Sequence, residues 1–254
     1  MRHLATCLCL LAAAPAPALE LTLTGTYQLN RPASLEYDPA FCGLWIANEG
    51  PEVILVTLQG EELRRFGSAL SRIKAITIEG NDLLVADGFG GFQRLTKGGE
   101  PLAEPFQTSD AWTDTEGITI DGDGLIITVE DDPERLSWFS PDGTLVRRID
   151  TMTLDPPLSE PQGIARDPRT GHLLIVDDWE GTNSLYEFDA EGQLLATVSL
   201  YEYGVDPEGI AIRPGSGQLF LAFDQGAMIA SFDYTPTLPE GADPLPPAAD
   251  CMMF

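Results

Sequence analysis

Apolar positions along this chain fall in short runs, none of them long or periodic enough for an amphipathic helix. "LWIAN" at 44–48, "LLVAD" at 83–87, "IITVE" at 126–130, "LIVDD" at 174–178 and "FLAFD" at 220–224 are five such runs. Each is β-branched or aromatic and ends in a polar residue, and Gly, Pro, Asp and Asn bound it. That is the pattern of strands joined by tight turns.

The runs belong to a longer phrase written five times. "EGIAI" at 208–212 matches "QGIAR" at 162–166 and "EGITI" at 116–120, with weaker copies "KAITI" at 74–78 and "ASLEY" at 33–37. Their third residues, Leu35, Ile76, Ile118, Ile164 and Ile210, are 41, 42, 46 and 46 residues apart. After each phrase come a turn, the apolar run, a third strand ("VILVTL", "GFQRL", "RLSWF", "SLYEF", "MIASF") and, in four copies, a fourth ("ELRRF", "PLAEPF", "TLVRRI", "QLLATV"). Four antiparallel strands at a period near 40–45 residues make a propeller blade. The fifth copy lacks its fourth strand, and "LTLTGTYQL" at 21–29 supplies one. The pattern predicts an all-β, five-bladed propeller over 19–235, closed by its N-terminal strand so that no sheet edge stays free. Six blades are the alternative if 236–254 holds another.

The ends of the chain read differently. Residues 1–18, "MRHLATCLCLLAAAPAPA", carry a basic start, an apolar run too short to span a bilayer and a small-residue cleavage site. This is the form of a signal peptide, with a retained anchor as the alternative. A periplasmic or secreted protein follows, with no transmembrane segment in the mature chain. Residues 236–254 form a Pro-rich tail. Removing the leader leaves Cys42 and Cys251. In an exported chain two cysteines point to one disulfide, and the other reading is two buried thiols.

The net charge is −26, from 14 basic and 40 acidic residues. Nucleic acid and anionic membranes are poor partners for such a surface. A cation partner fits it, as does plain solubility. In a blade the start of the first strand lies beside the end of the second. That places Glu116 with Glu130, Glu208 with Asp224, Gln162 with Asp178, Lys74 with Asp87 and Ala33 with Asn48 at one mouth of the channel. Crowded carboxylates are relieved by a cation, by protonation or by water. With no thiol or imidazole nearby, a hard oxygen-ligated ion, Ca²⁺, suits them. Glu116, Glu130, Glu208, Asp224 and Asp178 are the candidate ligands, Asp131 and Asp177 lie beside them, and solvated surface acids are the plain alternative. Lys74 and Asp87 read as mutually neutralised. After the leader only His172 remains, in a turn on the opposite face, so no Ser-His-Asp triad or His-based zinc site can form. Any enzyme here would work through carboxylates and a metal.

"PASLEYDPAFCGLWIANEGPEVILVTLQGEELRRF" and "KAITIEGNDLLVADG" resemble the opening blades of the SdiA-regulated family of exported propellers. "TEGI", "PQGI" and "PEGI" resemble the blade starts of β-propeller phytases. The second resemblance implies that Glu116, Glu130, Glu208 and Asp224 are calcium ligands and that the substrate is a phosphoester. The phytase segment "DDPAIW" is absent, with "YDPAFCGLW" at 37–45 in its place, and Lys74, Arg166 and Arg213 are the nearest basic residues. The readings carried forward are three: a monomeric propeller binding a small molecule or protein at a calcium-bearing mouth, a calcium-dependent phosphoesterase, and an interaction propeller with no such site.

Overall fold

The computed structural model describes residues 19–110, 114–239, 241–242, 245–246 and 250–251. The expected leader, 1–18, lies outside the described residues, as does part of the tail. Twenty strands form five four-stranded antiparallel sheets. Blade 1 holds Ser34–Asp38, Gly43–Ala47, Glu52–Thr57 and Glu62–Gly67, from the channel outward. Blade 2 holds Ala75–Glu79, Asp82–Ala86, Gly91–Leu95 and the short Phe106–Gln107. Blade 3 holds Thr115–Ile120, Ile126–Asp131, Glu134–Phe139 and Leu145–Asp150. Blade 4 holds Pro161–Arg166, Leu173–Asp177, Ser184–Phe188 and Leu194–Ser199. In blade 5, Val205–Arg213, Gln218–Gln225 and Met228–Thr235 are completed by the N-terminal strand Glu20–Gln28.

That last pairing runs from Glu20 opposite Thr235 to Gln28 opposite Met228. It confirms five blades closed by the first strand. The reason is the edge: without it Met228–Thr235 would present unpaired backbone groups to solvent.

Burial along each blade explains the sequence pattern. Second and third strands such as Gly43–Ala47 and Ser184–Phe188 are buried at every position, because neighbouring blades cover both faces. They therefore read as continuous apolar runs. The outer strand Glu62–Gly67 is almost wholly exposed and carries the charges. Five apolar clusters fill the five gaps between blades. Trp45 sits in the gap between blades 1 and 2, Trp138 and Tyr186 in that between blades 3 and 4, and Phe223 and Phe232 in that between blades 4 and 5.

The glycine of the repeated phrase has a steric role. A Cβ on Gly117 would lie 2.5 Å from the Gln162 carbonyl oxygen, one on Gly163 2.4 Å from that of Glu208, and one on Gly209 2.9 Å from that of Ala33. These are backbone atoms of the next blade's inner strand, and they cannot swing away. In blades 3, 4 and 5 the phrase also carries a bulge, at Thr115/Gly117, Pro161/Ile164 and Pro207/Ile210. A bulge bends the strand and re-aims its side chains.

At the tail, Asp250 accepts from Arg213 Nε at 2.8 Å and from the Tyr37 hydroxyl at 3.1 Å. Cys42 and Cys251 are free thiols that meet here. The hydrogen bond with Cys251, ahead of burial, pushes the Cys42 thiol up to about 11. His172 Nδ1 lies 2.8 Å from Glu187, a buried carboxylate that also receives the Thr237 N–H at 3.0 Å.

The inner-strand contact generates a prediction. Gly163→Ala should destabilise by about 1–3 kcal/mol, the usual cost of overpacking a rigid site. Gly67→Ala, whose Cβ would meet nothing closer than 3.8 Å, is the control and should be near neutral. Urea unfolding of the two variants compares them; equal stability would show that the inner strands yield.

Candidate functional site at the channel mouth

Ala33, Lys74, Glu116, Gln162 and Glu208 begin the repeated phrases, so they ring one end of the channel. Two residues earlier in each blade stand Arg31, Arg72, Asp114, Glu160 and Asp206. In extended chain a two-residue step returns to the same side. The mouth is therefore charged in two arcs, basic on blades 1 and 2 and acidic on blades 3, 4 and 5.

Glu49 satisfies much of the basic arc. It takes Arg31 at 2.9 Å and Arg72 at 2.5 Å, with Lys74 at 3.9 Å. Lys74 makes its closer ion pair with Glu116 of the next blade. This corrects the expectation that Lys74 and Asp87 neutralise each other. Asp87 instead turns back on its own loop, accepting from the N–H groups of Phe89 and Gly91. The Lys74–Glu116 pair crosses between blades, so strand register within one blade does not reveal it.

Asp114, Glu116 and Asp131 form the tightest acidic group, with one carboxylate oxygen from each lying within 4.8 Å of the others. Glu116 is 2% exposed. Asp114 Oδ1, Glu116 Oε2 and Asp131 Oδ1 are all buried and find no hydrogen-bond partner among the described residues. Burial pushes Glu116 up to about 9, against the pull of the Lys74 ammonium. Burial, then the Asp114 charge, pushes Asp131 up to about 6.

Glu130 stands apart from this group. It is next to Asp131 in one strand, and neighbours in a strand point to opposite faces. The bulge sets Thr115 opposite Glu130, and the carboxylate turns into the sheet to accept from the Thr128 hydroxyl at 2.8 Å. Burial still raises it, while Thr128, Ser137, Arg135 and Arg148 act the other way. The structure thus brings Asp131, not Glu130, beside Glu116.

The remaining candidates lie round the acidic arc. Glu208 and Asp224 line one small pocket of about 50 Å³ with Arg31, Ala33 and Glu49. Burial pushes Glu208 up to about 8, and the nearby charges of Asp206, Glu49 and Asp224 add to this. Asp178 accepts from the Glu180 N–H at 2.6 Å and is still raised by burial. Glu160 is raised to about 7 and Asp206 to about 6, each by burial and then by Asp178. Asp177 is already occupied, receiving the Glu160 N–H from just before the blade's first strand and the Thr182 hydroxyl from its own loop. Asp114, Glu160 and Asp206 were not picked out from the sequence. Their signal was available as an acid two residues before the phrase.

No protein-family model and no curated protein matches the chain. Solved structures do. A glutaminyl cyclase from Myxococcus xanthus superposes with a TM-score of 0.68 at 12% identity, over 89% of this chain and 100% of that one. A protein of unknown function from Bacteroides caccae gives 0.53 at 15% identity, over 80% and 81%. The Swd1 β-propeller domain of Myceliophteria thermophila gives 0.52 at 10%, over 85% and 100%. The fold is a β-propeller. At these identities the likeness concerns the fold alone.

The raised acids set a pH dependence. A carboxyl that holds its proton more tightly folded than unfolded loses stability as pH rises between its two pKa values. For Glu116, flanked by Lys74, Asp114 and Asp131, that window runs from the ordinary 4.5 to about 9. In chelator, the melting temperature should fall from pH 5.5 to 8.5. The fall should be shallower in Glu116→Gln, and equal slopes would show that Glu116 ionises freely in the folded protein.

Proposed function

We propose that this is an exported propeller that binds a hard divalent cation, Ca²⁺, at the acidic end of its channel and presents it to a small ligand or to an oxygen group of a partner. One observation carries the reading: the carboxylates of Asp114, Glu116 and Asp131 converge, and each has a buried oxygen without a partner among the described residues. Buried polar atoms are rarely left unpaired, and oxygens on opposite sides of a calcium ion are about 5 Å apart. The acid-only donor set also suits a hard ion. Glu208, Asp224 and Asp178 lie on the same arc and would add to its field, whereas Glu130 is held by Thr128. The phosphoesterase reading is less favoured. Arg31, Arg72 and Lys74 already serve Glu49 and Glu116, so little positive charge is left for a phosphate.

A second reading has its own support. Glu116, raised to about 9 and ion-paired with Lys74, is an acid poised to pass a proton near neutral pH. In a cyclase acting on N-terminal glutamine, the α-amine attacks the side-chain amide carbon and the amide nitrogen leaves as ammonia. Glu116 would hand its proton to that leaving group and take back the one that the attacking α-amine gives up.

Calcium separates the two. On the first reading it raises the melting temperature, by about 2.7 kcal/mol of stability at a hundredfold excess over its dissociation constant. The double change Glu116→Gln and Asp131→Asn removes the rise, and sodium chloride does not reproduce it. A full calcium response in the double variant overturns the site. On the second reading, ammonia is released from a glutaminyl peptide and calcium inhibits its release.

Export is supported by the leader-like sequence at 1–18 and by the facing cysteines. Among the described residues no helix is long and apolar enough to cross a membrane. In an oxidising compartment Cys42 and Cys251 should join, closing a loop of over 200 residues. Non-reducing digestion of exported protein should yield the linked peptides; two alkylatable thiols would end the idea.

A further inference from the structure

The other end of the channel opens into a cavity of about 270 Å³, room for about nine waters at some 30 Å³ each. The last residues of the five inner strands line it, and two of them break the repeat. At the fourth place of the phrase four blades carry Thr77, Thr119, Ala165 and Ala211, and blade 1 carries Glu36. At the fifth place four blades carry Tyr37, Ile78, Ile120 and Ile212, and blade 4 carries Arg166. Both exceptions replace small or largely apolar side chains with a charge, and both line this one cavity.

Their bonding differs from that of other charges in the protein. Among the described residues, Arg166 is the only arginine whose side chain makes no hydrogen bond or ion pair, although acids outnumber bases nearly three to one. Its Nη2 lies at the rim beside two turns: a Cβ on Gly122 would stand 3.2 Å from it and one on Gly171 3.6 Å, and both glycines border the groove between blades 3 and 4. Glu36 receives the Thr77 hydroxyl at 2.8 Å. Blades 1 and 4 are not neighbours in a five-membered ring, and no ion pair joins Glu36 to Arg166. The cavity thus holds one acceptor and one guanidinium fork, separately placed, with the Ile212 and Pro214 side chains between apolar walls. Thr119, buried at 5% exposure, lines it too.

We infer that this cavity is a second binding site, independent of the acidic mouth, for a small zwitterion of amino-acid size whose carboxylate is taken by Arg166 and whose ammonium is taken by Glu36. A planar guanidinium matches a carboxylate with two parallel N–H bonds. Few converging polar groups within an apolar wall are the usual form of a small-molecule site. Arg166 also borders a groove of about 420 Å³ between blades 3 and 4. That groove carries Asp121, Asp123, Glu191 and Arg147 besides Arg166, whereas among the described residues Glu36 and Arg166 are the only charged side chains lining the axial cavity, one of each sign.

Saturation-transfer NMR with 4-aminobutyrate, butyrate and butylamine tests this on the mature protein, with and without calcium. 4-Aminobutyrate should bind most tightly and butyrate more weakly. Arg166→Gln should weaken both at least tenfold, and Glu36→Gln should remove the preference for 4-aminobutyrate. Thr119→Val, nearly isosteric, should weaken binding while leaving the melting temperature unchanged. No saturation with any probe overturns the site. So does binding indifferent to Arg166, or binding that responds to Arg166 but neither to Glu36 nor to Thr119, which would place it in the groove. Because calcium is varied separately, the result stands whether or not the acidic mouth holds an ion.

Discussion

Five strands crowded round one axis are the constraint on which this molecule turns. The inner strands of blades 3, 4 and 5 approach until a single Cβ would strike the next backbone, which is why the phrase carries glycine there. Ser34 and Ala75 hold the same place in blades 1 and 2, where the phrase has no bulge. Close approach has a chemical result. Equivalent residues of every blade are forced together at the two ends of the channel, so a charge written once per repeat becomes a cluster in space.

At the acidic end this crowding sets two costs against each other. Desolvation and like-charge repulsion both drive Glu116, Glu208, Asp131 and Asp206 towards the protonated form. Lys74 opposes both, and its own proton is held more tightly by Glu116 despite burial. One ammonium cannot serve the whole arc. The three orphaned oxygens beside it mark where the compensation is incomplete, and an incomplete compensation in a buried place is what a bound cation would correct.

Much of the fold could be read from the chain because the blade grammar is repeated and each strand's exposure differs. The closing strand was legible as a missing fourth strand, within one residue of its observed limits. The site was less legible. Strand ends place these residues together at one mouth, but the bulge at Thr115/Gly117 decides which of Glu130 and Asp131 faces it, and bulge registers are not written in hydrophobic pattern. The partner of Lys74 was missed for another reason. Sequence shows neighbours within a blade, and this ion pair joins two blades.

The repeat also gives a way to recognise function where chemistry alone is ambiguous. In a ring of near-equivalent strands, each position has four internal controls. Glu116 and Glu208 occupy a place where three of the five blades carry a charge, so a charge there is no departure from the repeat. Glu36 and Arg166 occupy places where charge is the exception. Folding the ring does not require them, since four blades pack without a charge at each place. Arg166 is half-buried, and among the described residues its side chain has no hydrogen-bond or ion-pair partner. A residue that the architecture neither needs nor satisfies is best explained by a ligand.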